Sequence, residues 1–141
     1  MAQDFPALVA DVYELAGALR RLGETTAATE GQTQARWQLL SAISTGDMTV
    51  PRAARRLGVT RQAVQRVAND LTSDGLTQFD ENPDHRSSPL LTLTPSGDAV
   101  LAAINRRAAT QNRVLARRIG PDTLAALSAG VGELIDAVDG L

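Results

Sequence analysis

The stretch Thr49–Leu71, TVPRAARRLGVTRQAVQRVANDL, constrains the fold more than any other part of the chain, because it predicts two short helices joined by a tight turn. Apolar residues recur in its first half at the spacing of one helix face. They are Val50, Ala53, Ala54 and Leu57. Gly58 predicts the end of the first helix, at a position where left-handed backbone costs little. Thr60 then predicts the N-cap of the second helix.

The second of these helices has one apolar face and one face of long polar side chains. The predicted buried residues are Val64, Val67, Ala68 and Leu71, and the polar residues are Arg61, Gln62, Gln65, Arg66 and Asn69. Two helices in this arrangement are typical of a helix-turn-helix, whose second helix enters the major groove of DNA. The alternative is an ordinary helix with a solvated polar face.

The charge of the chain is unevenly distributed. Residues 49–69 hold five arginines and no acid, a charge of +5, whereas the remainder holds nine arginines against sixteen acids. A basic face on an acidic body suits attraction to phosphates at one surface. Arg and Gln in the second helix match bidentate readout of guanine and adenine. The arginines of the first helix are assigned to phosphates; they are Arg52, Arg55 and Arg56.

The flanking sequence predicts further helices and a β-wing. A helix is expected over about residues 5–28, and another over Gln32–Ser44 with Ala35, Leu39, Ala42 and Ile43 inward and Trp37 and Leu40 flanking. Leu76–Asp80 and Leu90–Thr94 are strand candidates around the polar loop Glu81–Pro89. The pair Thr94-Pro95 predicts the start of a long helix to about Arg118, and a last helix follows Pro121.

The composition argues against several classes of function. The chain has no cysteine and one histidine, so a disulfide, a thiol switch and a cysteine or His-rich metal site are not expected. His85 is interpreted as a solvated loop residue. We find no nucleophile motif or phosphate loop, and predict no enzyme activity and no cofactor. No apolar run approaches membrane-spanning length and the first residues lack signal-peptide features, so a cytoplasmic protein is expected.

Four motifs in this order resemble the MarR family of bacterial transcriptional regulators. They are the helix-turn-helix AARRLGVTRQAVQRVANDL, DGL at Asp74–Leu76, DHR at Asp84–Arg86, and LTPSG at Leu93–Gly97. The resemblance implies a homodimer paired through its N- and C-terminal helices, a winged helix in each subunit, and often a small-molecule effector. It also implies that Arg86 reaches into the minor groove from the wing, and we expect Asp84 to orient the wing by pairing with an arginine.

The resemblance places an effector pocket near the dimer helices, where Tyr13, Arg36 and Trp37 fall. The alternative is that Trp37 belongs to the core and Tyr13 to the dimer interface. The chain departs from many relatives in its first wing strand, where Gln78, Asp80 and Glu81 supply no positive charge. Local acidity there is expected to weaken phosphate contact.

We therefore predict one mainly α domain over residues 1–141, with a small β-wing. Its winged core spans about residues 33–94, and its dimerisation helices span about 5–28 and 95–139. The predicted function is a homodimeric repressor that binds a pseudo-palindromic operator in double-stranded DNA and is released by an effector. The predicted DNA-binding residues are Arg52, Arg55, Arg56, Thr60, Arg61, Gln62, Gln65, Arg66, Asn69 and Arg86. The alternatives are a winged-helix interaction module without DNA binding and, less favoured by the residues present, a small enzyme.

Overall fold

The computed structural model describes residues 4–141; residues 1–3 of the predicted domain lie outside this range. The helices in the described part are α1 (Asp4–Ala28), α2 (Gln34–Ser44), α3 (Val50–Leu57), α4 (Arg61–Ser73), α5 (Pro95–Ile119) and α6 (Pro121–Asp139). The strands are β1 (Met48–Thr49), β2 (Thr77–Asp80) and β3 (Leu90–Leu93). The chain divides into two compact units, Met1–Asn105 and Arg106–Leu141.

The mainly helical fold with a small antiparallel sheet confirms the predicted fold class. Helix α3 covers the residues predicted for the first half of the helix-turn-helix, and Gly58 ends it with a φ of 68°. Thr60 caps α4, since its side-chain oxygen accepts a hydrogen bond from the Ala63 N–H. Helix α2 begins two residues later than predicted because Thr33 is its N-cap and accepts a hydrogen bond from the Arg36 N–H.

The sheet has the order β1-β3-β2, so β3 is the central strand. Strands β2 and β3 form the predicted wing, with Phe79 paired with Leu91. Strand β1 was not predicted. It has only two residues, and it forms because Met48 pairs with Leu91 from a distant part of the chain.

The core of the first unit lies among α2, α3, α4 and the sheet. Its largest fully buried apolar side chains include Leu39, Leu40, Leu71 and Leu91. The expectation that Ala35 points inward and Leu40 flanks the core is wrong: Ala35 is exposed and Leu40 is completely buried. Helix α2 packs against α1, α3, α4 and β3, so it buries more of its circumference than a single amphipathic face would require.

Two helices keep large apolar side chains at the surface, each within its own unit. In α1 they include Leu8, Val12, Leu15 and Leu19. In α6 they are Leu124, Leu127, Val131, Ile135 and Val138, and none of the α6 residues is buried. Contiguous apolar faces of this kind are rare on soluble monomers and mark sites of interaction.

Candidate nucleic-acid interface

Helix α4 presents a wide polar face to solvent. Its exposed side chains are Arg61, Gln62, Gln65, Arg66 and Asn69. Val64, Ala68 and Leu71 are buried on the opposite side, which fixes the rotation of the helix about its own axis. The Gln65 amide donates to Asn69 Oδ1 at 2.9 Å, so these two side chains are already aligned along one edge of the face.

Helix α3 adds a second basic surface before α4. Its three arginines, Arg52, Arg55 and Arg56, are all exposed, while Ala53 and Ala54 are buried. Arg55 and Arg56 lie in the last turn, where a cation also stabilises the helix through its dipole. This stabilising role alone accounts for arginine at these two positions, so Arg55 and Arg56 do not by themselves indicate a bound ligand.

The N-terminal ends of α3 and α4 point to an anionic partner more directly. Neither helix has an acidic residue in its first turn. Arginine stands there instead, at Arg52 and Arg61, where its charge opposes the positive end of the helix dipole. Both ends are therefore strongly electropositive, which is the condition for binding phosphate.

The loop of the wing is organised by Asn82. Its amide donates to the Ser88 carbonyl at 3.0 Å, and its Oδ1 accepts from the Asp84 N–H at 3.1 Å. The expected ion pair of Asp84 with an arginine is not formed among residues 4–141; the contact found at Asp84 is that of its backbone N–H with Asn82. Arg86 and His85 are exposed in this loop.

The carboxylate of Asp80 at the end of strand β2 accepts hydrogen bonds from two uncharged side chains. Asp80 accepts from the Thr92 hydroxyl across the sheet at 3.2 Å and from the Gln78 amide at 3.1 Å. Gln78 and Asp80 are both exposed. The side of β2 that carries them therefore presents hydrogen-bonding groups and no cation.

A groove of about 610 Å³ separates α4 from the wing. It is lined by Val50, Pro51, Arg61, Gln62, Gln65, Phe79, Ser87, Ser88 and Pro89. Its lining joins the polar face of α4 to the loop that holds Arg86. These elements thus form one continuous surface, with a depression between the helix and the wing.

The structure does not bring the three residues of the predicted effector pocket together. Arg36 donates to Asp74 and Gln32, and Trp37 donates from its indole to Asn105 Oδ1 at 3.1 Å. Gly23 of α1 is the residue that packs near Trp37. Tyr13 is 73% exposed and lies ten residues earlier in α1, about 15 Å along the helix axis.

Sequence reasoning missed the residues that hold the end of α4 in place. Asp74 pairs with Arg36, 38 positions away, and the Thr94 hydroxyl donates to the Gly75 carbonyl at 2.7 Å. No local spacing rule predicts such distant pairs. The motifs DGL and LTPSG did contain Asp74, Gly75 and Thr94, but only as markers of a turn and a helix start.

Within residues 4–141, no group of three or more acidic or histidine side chains is arranged to hold a metal ion. No helix in that range is long and apolar enough to cross a membrane.

Comparisons with known proteins agree with this geometry. The sequence model of the MarR family matches residues 31–87, which contain the helix-turn-helix, strand β2 and most of the wing loop. Uncharacterized proteins of Mycobacterium tuberculosis and Mycobacterium bovis are 56% identical over 138 residues, 98% of this chain and 96% of each relative. Residues 31–87 thus match the MarR family, and the chain has the fold of solved MarR family structures.

Solved structures share its fold at low sequence identity. A MarR/EmrR family regulator from Acinetobacter sp. ADP1 is 18% identical with a TM-score of 0.87, covering 98% of this chain and 99% of its own. A mutant MarR from E. coli, complexed with operator DNA, is 19% identical with a TM-score of 0.79, covering 93% and 96%. The PcaV regulator from Streptomyces coelicolor, in complex with its natural ligand, is 23% identical with a TM-score of 0.72, covering 88% and 91%.

Proposed function

We propose that this protein is a homodimeric transcriptional repressor that binds a pseudo-palindromic operator in double-stranded DNA. The observation that carries the proposal is the surface of α3 and α4. Five exposed arginines and no acid lie within residues 49–69, on two helices whose N-terminal turns lack the acidic residues that helices favour. The fold shared with the DNA-bound E. coli MarR mutant supports the same conclusion.

Helix α4 is the element proposed to enter the major groove. Arg61, Gln62, Gln65, Arg66 and Asn69 face solvent along it, and the first two turns bring the first four of them closest to base edges. Bidentate contacts from Arg to guanine and from Gln to adenine supply the specificity. The arginines of α3 bind phosphates of the flanking backbone, and Thr60 fixes the start of α4 while its exposed hydroxyl remains near the DNA.

The wing is proposed to contact the adjacent minor groove through Arg86. The loop is closed by the Asn82 hydrogen bonds, so Arg86 is presented from an organised segment. A narrow A·T-rich minor groove concentrates negative potential and attracts an inserted arginine. The acidic strand β2 then lies beside the groove without adding to the phosphate contact.

Dimerisation is proposed to occur through the terminal helices. The apolar faces of α1 and α6 need a partner surface, and a second copy of the chain supplies one by symmetry. Two-fold symmetry then requires the recognition helices to lie about 34 Å apart, one turn of DNA.

Release of the operator is proposed to follow binding of a small molecule beside α1 and α2. Arg36 and Trp37 are the proposed contact residues, whereas Tyr13 lies too far along α1 to reach the same small molecule. The ligand-bound PcaV structure supports an effector in a protein of this fold. A ligand can release DNA only if it binds more tightly to the arrangement in which the recognition helices no longer match the operator.

The proposal is tested by footprinting the purified protein on the DNA that flanks its own coding region. The expected result is protection of an inverted repeat whose half-sites are centred about one helical turn apart. The proposed function would be contradicted by a folded dimer that protects no sequence. Such a dimer would also bind sheared DNA no better than an acidic control protein. That result would favour an interaction module, which the acidic strand β2 could serve.

A further inference from the structure

The C-terminal end of α4 is tied to α2 by one ion pair. Arg36 of α2 donates from its guanidinium to the carboxylate of Asp74, at 2.5 Å. Gln32 Oε1 accepts from the other terminal nitrogen of Arg36 at 2.8 Å and fixes its direction. The Arg36 side chain is 17% exposed and that of Asp74 is 55% exposed, so the pair is shielded from water on the arginine side only.

The electrostatics of this helix end explain why the pair is needed. Asp74 caps the C-terminus of α4, and Asp70 lies one turn earlier. Carboxylates at this end oppose the helix dipole and repel each other. The guanidinium of Arg36 offsets both the unfavourable dipole interaction and the repulsion between carboxylates. It does so because a cation is favourable at a helix C-terminus and because it attracts the carboxylate of Asp74.

The same segment is fixed from its other side by the start of α5. The Thr94 hydroxyl donates to the Gly75 carbonyl at 2.7 Å, and the Thr94 N–H donates to the Leu76 carbonyl at 3.1 Å. The three residues Asp74, Gly75 and Leu76 are therefore held by α2 through an ion pair and by Thr94, just before α5, through hydrogen bonds from its hydroxyl and its backbone N–H.

Small changes at this end become large displacements at the DNA-reading end. Arg61 lies thirteen residues from Asp74, about 20 Å along the helix. A tilt of about 5° around the C-terminal end moves the first turn by nearly 2 Å on this length, given the same rise per residue. Bidentate hydrogen bonds to bases do not survive such a shift, because their distances vary by only a few tenths of an ångström.

We infer that Arg36 is a positioning residue for operator recognition, which sets the angle of α4 through its ion pair with Asp74 and touches no DNA itself. The expected effect on DNA binding rests on the proposed function, whereas the expected effect on the position of α4 rests on the structure alone. Loss of the pair is expected to lower specific binding more than non-specific binding, since phosphate attraction tolerates a tilted helix.

The test compares Arg36→Gln, Asp74→Asn and the charge-swapped double variant Arg36→Asp/Asp74→Arg with the parent protein. Each single variant should bind the operator about fivefold more weakly, while binding to a scrambled duplex of the same length is unchanged. The swapped pair should recover most of the loss, because it restores the attraction and places a cation at the helix end. Asp70→Asn is the matched control, since it removes the same charge one turn away and should retain operator affinity.

A second measurement does not involve DNA. Amide hydrogen exchange in the last turn of α4 should be faster in Arg36→Gln and Asp74→Asn than in the parent and in Asp70→Asn. Unchanged exchange, unchanged operator affinity, or equal losses on operator and scrambled duplex would each overturn the inference. A parent protein that binds no duplex would overturn the proposed function, whereas the exchange result would still decide the role of Arg36.

Discussion

Gly97 lies directly against the carbonyl oxygen of Leu76, so closely that a Cβ on Gly97 would stand 1.9 Å from that oxygen. The contact joins the first turn of α5 to Leu76, three residues after the end of α4. No larger residue fits there, because the neighbour is backbone and cannot rotate away. Leu93, whose Cδ2 would be 3.2 Å from the same Cβ, closes the site on another side.

Gly97→Ala should therefore lower the free energy of unfolding by about 3 kcal/mol, through overpacking against backbone. Urea unfolding of parent and variant at one fixed protomer concentration measures this change in the free energy of unfolding. Gly130→Ala is the control, since nothing lies within 4 Å of a Cβ at Gly130 in the middle of α6. That variant should gain about 0.5–1 kcal/mol from helix propensity. Equal stabilities of the two variants would contradict the close approach.

Arg66 and Arg56 are predicted to contribute to DNA binding in different ways. Arg66→Ala should cost about 1–3 kcal/mol and relax the preference at one base position, because Arg66 lies on the exposed face of α4. Arg56→Ala should weaken binding to all sequences alike and reduce the salt slope by about one phosphate contact. A randomised operator library distinguishes them, and identical profiles for both variants would refute this division of roles.

The wing gives a prediction about flanking sequence. Arg86→Ala should weaken operator binding at least as much as alanine at any one of Arg52, Arg55 or Arg56. It should also reduce the preference for A·T pairs beside each half-site, which are read through groove width. Thermal unfolding should not change, because the loop is held by Asn82 and not by Arg86. Equal affinity of parent and variant for A·T and G·C flanks would show that the wing does not touch DNA.

The exposed face of α6 gives a prediction about assembly. Leu127 is 54% exposed, and Leu127→Glu should convert a dimer into monomers or aggregates, because a charge would replace apolar surface in the interface. Ala126→Glu is the matched control on the opposite side of α6, and it should stay dimeric. Light scattering at several protein concentrations measures both. A parent protein that is a well-folded monomer would contradict the proposed dimer.

The local architecture could be read from the sequence because its signals are local. The Gly58 turn and the Thr60 cap depend on residues within a few positions, and both lie where the pattern predicted. The buried face of α4 was also predicted, since Val64, Ala68 and Leu71 pack on one core through one helix face.

The features that were missed depend on pairs distant in the chain. Strand β1 exists only because Met48 meets Leu91, and two residues have no periodicity to detect. Leu40 is buried because α2 is surrounded by several elements, which a rule for one apolar face cannot express. The ion pair of Arg36 with Asp74 also joins residues far apart in the chain. The sequence therefore suggested only a role for Arg36 in an effector pocket.

The most direct test of the central claim is the salt dependence of binding to duplex DNA, measured by fluorescence anisotropy with a labelled operator. The parent protein should lose affinity linearly on logarithmic axes as salt rises, with a slope of roughly 0.9 for each phosphate contact. A variant with Arg52, Arg55 and Arg56 all changed to Gln should keep its dimeric state and its helical content, yet bind weakly with a much shallower slope. A folded parent protein that binds no DNA at low salt, or a triple variant with the parent's affinity and slope, would contradict DNA binding through these arginines.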